Sequence, residues 1–375
     1  MAIFLSEVEG REFRRYCDQR ADGARLRDAL RRRVRSRLVG GGLGAGPEDW
    51  WFCVAEYVTD AAMVFALDRD GEVGEWLRAV MLWLVDRPIE DWVGPAFREH
   101  GLAVPVGNLE TAHLTWATGV ALDLGYEAFS PSERERLLEA LRERGATMCG
   151  RWLSGHNHLA NWRCVLLAGL SVAAVVLGDR PLVDRCVEEY GLCLHVFQPD
   201  GSYGESLQYG NYAASAMVLT REALLRSGAA DAAAVTASPW SLMPRWQASS
   251  LLYQRPVEGW GVSARAVSAN FNDSGALFRP SGDLLLHTAT RERERTPEMA
   301  GLARWLFDRL YGHDFEQAPH NRASFGFLND FGFLSVPLLA GACSAMEPQE
   351  AGLCRVEAFS CGDVLLRDGW GAGRS

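Results

Sequence analysis

The stretch from Asn161 to Leu177 constrains the fold more than any other part of the chain, because its apolar side chains leave no polar stripe. Val165, Leu166, Leu167, Leu170, Val172, Val175, Val176 and Leu177 would lie nearly all round a helix. Such a helix must be covered on several sides. Helices with a single apolar stripe are the natural cover, and residues 71–87 supply one: Val73, Trp76, Leu77, Val80, Met81 and Leu84 recur at the spacing that buries one face. Another begins at Ser130-Pro131-Ser132-Glu133. There Ser130 can cap, Pro131 suits the first turn and Glu133 can close a capping box, before Leu137, Leu138 and Leu141 carry the stripe on. Fully and half-buried helices in alternation predict a mainly α fold in two concentric layers. The expected architecture is an α/α toroid of helical hairpins, complete or incomplete, over residues 1–345.

Beyond about residue 260 short alternating pieces replace the helical period, with one return to helix at Pro297 to Tyr311. Residues 354–360 and 364–368 flank Cys361-Gly362-Asp363, the pattern of a β-hairpin and its turn. A lone hairpin is marginal in water, so residues 346–375 are expected to begin an antiparallel β-sandwich that is truncated here.

The chain has 375 residues and a net charge of −10, which argues against general nucleic-acid binding. All 38 of its basic residues are arginine. Without lysine, Schiff-base chemistry and a P-loop are excluded, and a polyanionic substrate would have to be held by clustered arginines. The arginines between Arg25 and Arg37 fit a solvated helix face, with Leu26, Leu30, Val34 and Leu38 among them. Residues 40–46, rich in glycine, follow a helix rather than a strand and are expected to be a connection. The nine cysteines form no CxxC pair and fit buried free thiols. No apolar run is long and clean enough to span a membrane, and the N-terminal residues lack a signal-peptide pattern. The expected compartment is therefore the cytoplasm, with neither nucleic acid nor membrane as a partner.

Two polar clusters could carry chemistry. One runs from Ser154 through His156, Asn157, His158 and Asn161 to Trp162. The other runs from Asp200 through Tyr203, Glu205 and Tyr209 to Tyr212, with Glu205, Tyr209 and Tyr212 expected on one face of a helix. In a ring of hairpins the two helix starts can meet at one mouth. Asn157, His158 and Tyr209 would then bring an amide, an imidazole and a phenol together. Elimination across C4–C5 of a uronic acid needs the carboxylate neutralised, a base for the C5 proton and an acid for the departing oxygen. Those three side chains match the need. The plainer alternatives are histidines that cap a helix and tyrosines that pack. His113 and Trp116 are further cleft candidates, and the turn-forming run 270–275, with Asn272 and Asp273, is expected at the pocket rim. His156 and His158 have the spacing of a metal pair but no carboxylate nearby in sequence, so no metal or other cofactor is expected.

Taken together, 108–112, 156–162, 200–212 and 270–275 resemble the heparinase II/III-like polysaccharide lyases, including the oligoalginate lyases, with Asp-Gly-Ser-Tyr-x-Glu-x-x-x-Tyr at 200–209 the most distinctive string. The resemblance implies a toroid followed by a β-sandwich, and a substrate that is an acidic polysaccharide or oligosaccharide. It implies Asn157 and His158 as carboxylate neutralisers, Tyr209 as acid or acid/base, and Glu205 as a pocket organiser. His156, Asn161, Tyr212, Asn272, Asp273, His113 and Trp116 would contact the substrate. The family's remaining catalytic histidine is expected in the sandwich, beyond the strand at 364–370, so activity of this chain alone is in question. Two alternatives stay open: a non-catalytic toroid that binds acidic glycans, and a glycoside hydrolase using Glu205 and Asp273. A homodimer is compatible with all three.

Overall fold

The computed structural model describes residues 3–39, 50–93, 104–257, 262–269, 279–312 and 331–370. The helices in chain order are α1 (Glu7–Gln19), α2 (Ala21–Val39), α3 (Trp50–Asp68), α4 (Gly71–Val85), α5 (Ile89–Val93), α6 (Leu109–Leu124), α7 (Pro131–Ala140) and α8 (Thr147–Gly155). A π-helical turn, Leu141–Ala146, joins α7 to α8. They continue with α9 (Asn161–Leu177), α10 (Arg180–Cys193), α11 (Leu207–Arg226), α12 (Met243–Ser250), α13 (Gly282–Arg291), α14 (Pro297–Tyr311) and α15 (Ser335–Leu339). Among the described residues the strands form two antiparallel pairs: β1 (Leu251–Val257) with β2 (Val262–Ser268), and β3 (Val356–Ala358) with β4 (Val364–Leu366). The protein is mainly helical, as its periodicity predicts.

The all-apolar stretch is α9, and its surroundings explain its composition. It packs against α6, α11, α10 and α8 at once, and its side chains from Cys164 to Ala174 are buried. The approach of α6 is close enough to require glycine. A Cβ on Gly169 would stand 2.8 Å from the Ala112 Cα, and one on Gly119 would stand 2.5 Å from a Val172 methyl. Helix α6 is itself buried almost throughout, so Thr115 and Thr118 return their hydroxyls to the Thr111 and Leu114 carbonyls of the preceding turn.

Helices α3, α6, α9, α11 and α13 follow one another as packing neighbours. Their C-terminal residues Leu67, Leu124, Val176, Arg226 and Arg291 all line one cavity of about 1390 Å³, so these ends lie together. The first described residues close that cavity, with Asp123 accepting the N–H groups of Ile3 (2.7 Å) and Phe4 (2.9 Å). From α13 contacts lead on to α15, from α15 to α1 and α2, and from α2 back to α3. The arginine-rich helix is α2, and it is more than a solvated face. Arg31 pairs with Asp68 at 2.6 Å, and Arg33 and Arg37 share the buried Asp60 at 2.9 and 2.8 Å.

The β3–β4 hairpin forms where its turn residues predict, with Gly362 at φ 103°. It is docked on the helical body. Glu357 is buried and accepts Arg245 (2.8 Å), Asp363 accepts the Trp246 indole N–H (2.9 Å), and Arg367 donates to the carbonyls of Ala248, Ser249 and Leu251. Phe359, Leu365 and Trp370 belong to the same continuous core as the helices. The cysteines whose side chains are described are all free thiols. Among the described residues no helix is long and apolar enough to cross a membrane.

Candidate functional site

The N-terminal ends of α6, α9, α11 and α13 meet away from that cavity. The α9 start is tied to the segment before α11, because the Asn161 N–H donates to the Tyr203 hydroxyl (3.1 Å). The start of α13 is tied to α11, because the Ser281 N–H donates to the Asn211 side chain (2.9 Å).

Residues 156–160 form the loop from α8 to α9. His156 is the C-cap of α8: its ring lies on Trp152, with centroids 4.6 Å apart, and its Nδ1 is 3.0 Å from the Trp152 carbonyl oxygen. The His158 ring continues the stack at 5.9 Å from His156. Arg163, buried in α9, holds the loop from beneath. Its guanidinium donates to the His158 carbonyl (3.0 Å) and the His156 carbonyl, and pairs with Glu189. The side chains of Asn157 and His158 are left exposed on a braced loop. Asn161 is buried at the first position of α9.

The string 200–212 divides its labour. Asp200 accepts the N–H (3.0 Å) and hydroxyl (2.6 Å) of Ser202 and the Ser360 N–H (2.6 Å), and Ser202 accepts the Cys361 N–H (3.2 Å). Burial opposes ionisation of Asp200, but the hydrogen bonds from Ser202 and Ser360 outweigh it and hold the carboxyl below its usual range. These two residues therefore clamp the C-terminal hairpin. Gly201 between them has φ 80°, with the Leu242–Met243 backbone where a Cβ would go. Tyr203 is buried, and that burial pushes its phenol up.

Helix α11 starts at Leu207 with Ser206 as N-cap, its hydroxyl accepting the Tyr209 N–H (3.2 Å). Glu205 precedes the helix and is exposed, so it does not share the helical face of Tyr209 and Tyr212, contrary to the spacing argument. Serine takes the cap here because its Oγ reaches the free Tyr209 N–H at the third position of the helix.

Tyr209 is half-buried. Tyr212 is buried, and its hydroxyl lies 2.9 Å from Nε2 of the fully buried His113, whose ring rests on Trp116 with centroids 3.9 Å apart. Burial raises the Tyr212 phenol, and the negative charge of buried Glu110 adds to the rise. Burial lowers His113 well below the usual imidazole value. Both members of the pair are thus neutral near pH 7, which suits an organising role better than proton transfer.

The structure therefore brings Tyr209, Tyr212, His113, Trp116 and Glu110 to adjoining turns of α6 and α11, with Tyr203 joining them to the loop of Asn157 and His158. Asn272 and Asp273 lie outside the described residues. Sequence reasoning gave no role to Arg163, Trp152 or Glu110. An arginine in an otherwise apolar helix, and a tryptophan four residues before a histidine, were the available signals. Among the described residues no group of three metal-ligating side chains is assembled.

No family model matches the chain, and no curated protein matches it.

Proposed function

We propose that this chain has the scaffold of a polysaccharide lyase that cleaves uronic-acid-containing glycans by β-elimination. The observation that carries the reading is the position of Tyr209. It is the half-exposed phenol on the first turn of α11, beside buried Tyr203, which is bonded to the start of α9. In this reading Asn157 and His158 neutralise the uronate carboxylate from the loop that Arg163 braces, which acidifies the C5 proton. Tyr209, as its phenolate, takes the C5 proton and returns it to the departing oxygen as the C4–O bond breaks and the C4–C5 double bond forms. The buried Tyr212–His113 pair holds the α6 and α11 turns in register beneath it. The round of helix contacts from α3 to α13 and back through α15, α1 and α2 supports an α/α toroid as the scaffold.

The test is to incubate the protein with alginate and with heparan-type uronate polymers and follow the ultraviolet absorbance of 4,5-unsaturated products. Tyr209→Phe is expected to lower the rate by about a hundredfold or more without changing the melting temperature. Undiminished activity in that variant would remove Tyr209 from the mechanism. Saturated reducing ends would assign a hydrolase instead, and binding without turnover a glycan-binding scaffold.

A further inference from the structure

Beside the histidine loop an open groove of about 510 Å³ runs between the π-helical turn, α8 and the first turns of α10. Arg142, Arg151 and Arg185 line it together with Thr147, Ser154 and Asp179. The charge there is opposite to that of the chain as a whole, which carries −10. Several arginines elsewhere meet carboxylates, as Arg31, Arg33, Arg226 and Arg291 do. In the groove they do not. Among the described residues Arg151 donates to the Pro105 carbonyl (3.0 Å), Arg185 donates to the Gly150 carbonyl (2.7 Å) and the Ser154 hydroxyl (2.9 Å), and no carboxylate pairs with Arg142, Arg151 or Arg185. The single acid in the lining, Asp179, is occupied as the N-cap of α10, accepting the Leu182 N–H (3.1 Å). Its helix start adds a further positive potential to the groove.

The arrangement is built rather than incidental. Gly150 lacks the Cβ that would stand 3.1 Å from the Arg185 guanidinium, so that side chain can lie across α8. The π-helical turn widens the helix where Arg142 leaves it, an irregularity that often accompanies function. Ser154 and Gly155 of the lining are followed in the chain by His156, Asn157 and His158.

We propose that this groove is a second subsite for the acidic glycan, in which Arg142, Arg151 and Arg185 hold carboxylate or sulfate groups of the chain outside the Asn157–His158–Tyr209 centre. The proposal rests on the uronate-glycan reading above and extends it. A polyanion would supply the carboxylates that these guanidinium groups lack among the described residues, through charge-assisted hydrogen bonds.

The experiment is isothermal titration of a sulfated uronate hexasaccharide into the full chain and into the Arg142→Glu/Arg151→Glu double variant. The expected result is binding that weakens as salt rises and falls by roughly tenfold or more in the double variant at unchanged melting temperature. Equal affinity of both proteins overturns the subsite, as does inorganic sulfate binding as tightly as the hexasaccharide. If the double variant fails to fold, Arg142→Ala carries the same test, because no hydrogen bond or ion pair of the described residues uses its guanidinium. Binding is read without turnover, so the two readings fail separately. Arginine-dependent binding with no unsaturated product defeats the lyase and leaves the subsite. Product formation with equal affinity in both proteins defeats the subsite alone.

Discussion

The Tyr212 hydroxyl and Nε2 of His113 face each other at 2.9 Å across the contact between α11 and α6, and neither ring reaches solvent. Removing one partner from such a pair leaves a buried polar atom short of a hydrogen bond, which costs about 1–3 kcal/mol. Tyr212→Phe should therefore lower the unfolding free energy obtained from urea titration by that amount, while leaving any turnover measurable. Tyr209→Phe should do the reverse. A Tyr212→Phe protein as stable as the parent would show that the bond contributes nothing.

Stability should fall on mild acidification. Burial holds His113 and His287 well below the usual imidazole range; for His287, Glu222 at 3.4 Å partly offsets burial, while Arg221, Arg291 and Arg226 reinforce it. Since the unfolded values lie near 6.5, the unfolded chain takes up protons that the folded one refuses as pH drops below that value. The contribution is present above the unfolded value and is lost as pH falls. Urea midpoints measured from about pH 7.5 to about pH 5.5 should decline, and His287→Gln should flatten the slope. A slope unchanged by that substitution would point to other groups.

Asp283 has the opposite sign. Burial pushes its carboxyl up to about 6 against the hydrogen bonds from Ser335 and Gly332. Its stabilising contribution is present below the unfolded value of 3.8 and is lost as pH rises through about 6. The stability of Asp283→Asn relative to the parent should therefore improve across that window. A difference independent of pH would mean that Asp283 is ionised throughout.

The clamp on the C-terminal hairpin can be opened from either side. Gly201→Ala forces a side chain into a left-handed backbone, which costs about 1–2 kcal/mol, and places its Cβ 2.5 Å from the Met243 nitrogen, which adds to that cost. Glu357→Ala removes the acceptor for Arg245 and for the Cys354 N–H (2.6 Å). Its cost should be about 1–2 kcal/mol, below that of a fully buried pair, because the Arg245 side chain is 41% exposed. Both variants should speed proteolytic cleavage within 354–366, and unchanged cleavage would mean the hairpin is held by its apolar residues alone.

Local signals were the legible ones. The capping box at Ser130 formed, with the Ser130 N–H donating to Glu133 at 2.9 Å, and α9, α14 and the β3–β4 turn lie where period and turn chemistry put them. The stripe of 71–87 is buried except for half-exposed Trp76. The π-helical turn leaves no mark in the sequence, because Leu137, Leu138 and Leu141 keep an ordinary helical spacing into it. Glu205 was misplaced because a carboxylate four residues before a tyrosine reads as one helix face, whereas Ser206 captures the cap and starts the helix after it. At the candidate site the residue types were readable and their environments were not. Nothing local separates Tyr209 from Tyr212; only the tertiary surroundings, in which Tyr212 reaches His113 of α6, bury one and leave the other half-buried.

The contacts of Asp200 with Ser360 and of Ser202 with Cys361 join residues 160 and 159 positions apart. A chain made from its N-terminus can assemble α6, α9 and α11 while translation continues. The turn leading into Tyr209 lacks its clamp until residue 361 has emerged, so a segment made long after that turn fixes this corner of the site. This corner of the site then matures after α11 has formed, and a ribosome-stalled chain released short of the hairpin would carry α6, α9 and α11 with an unfinished entrance.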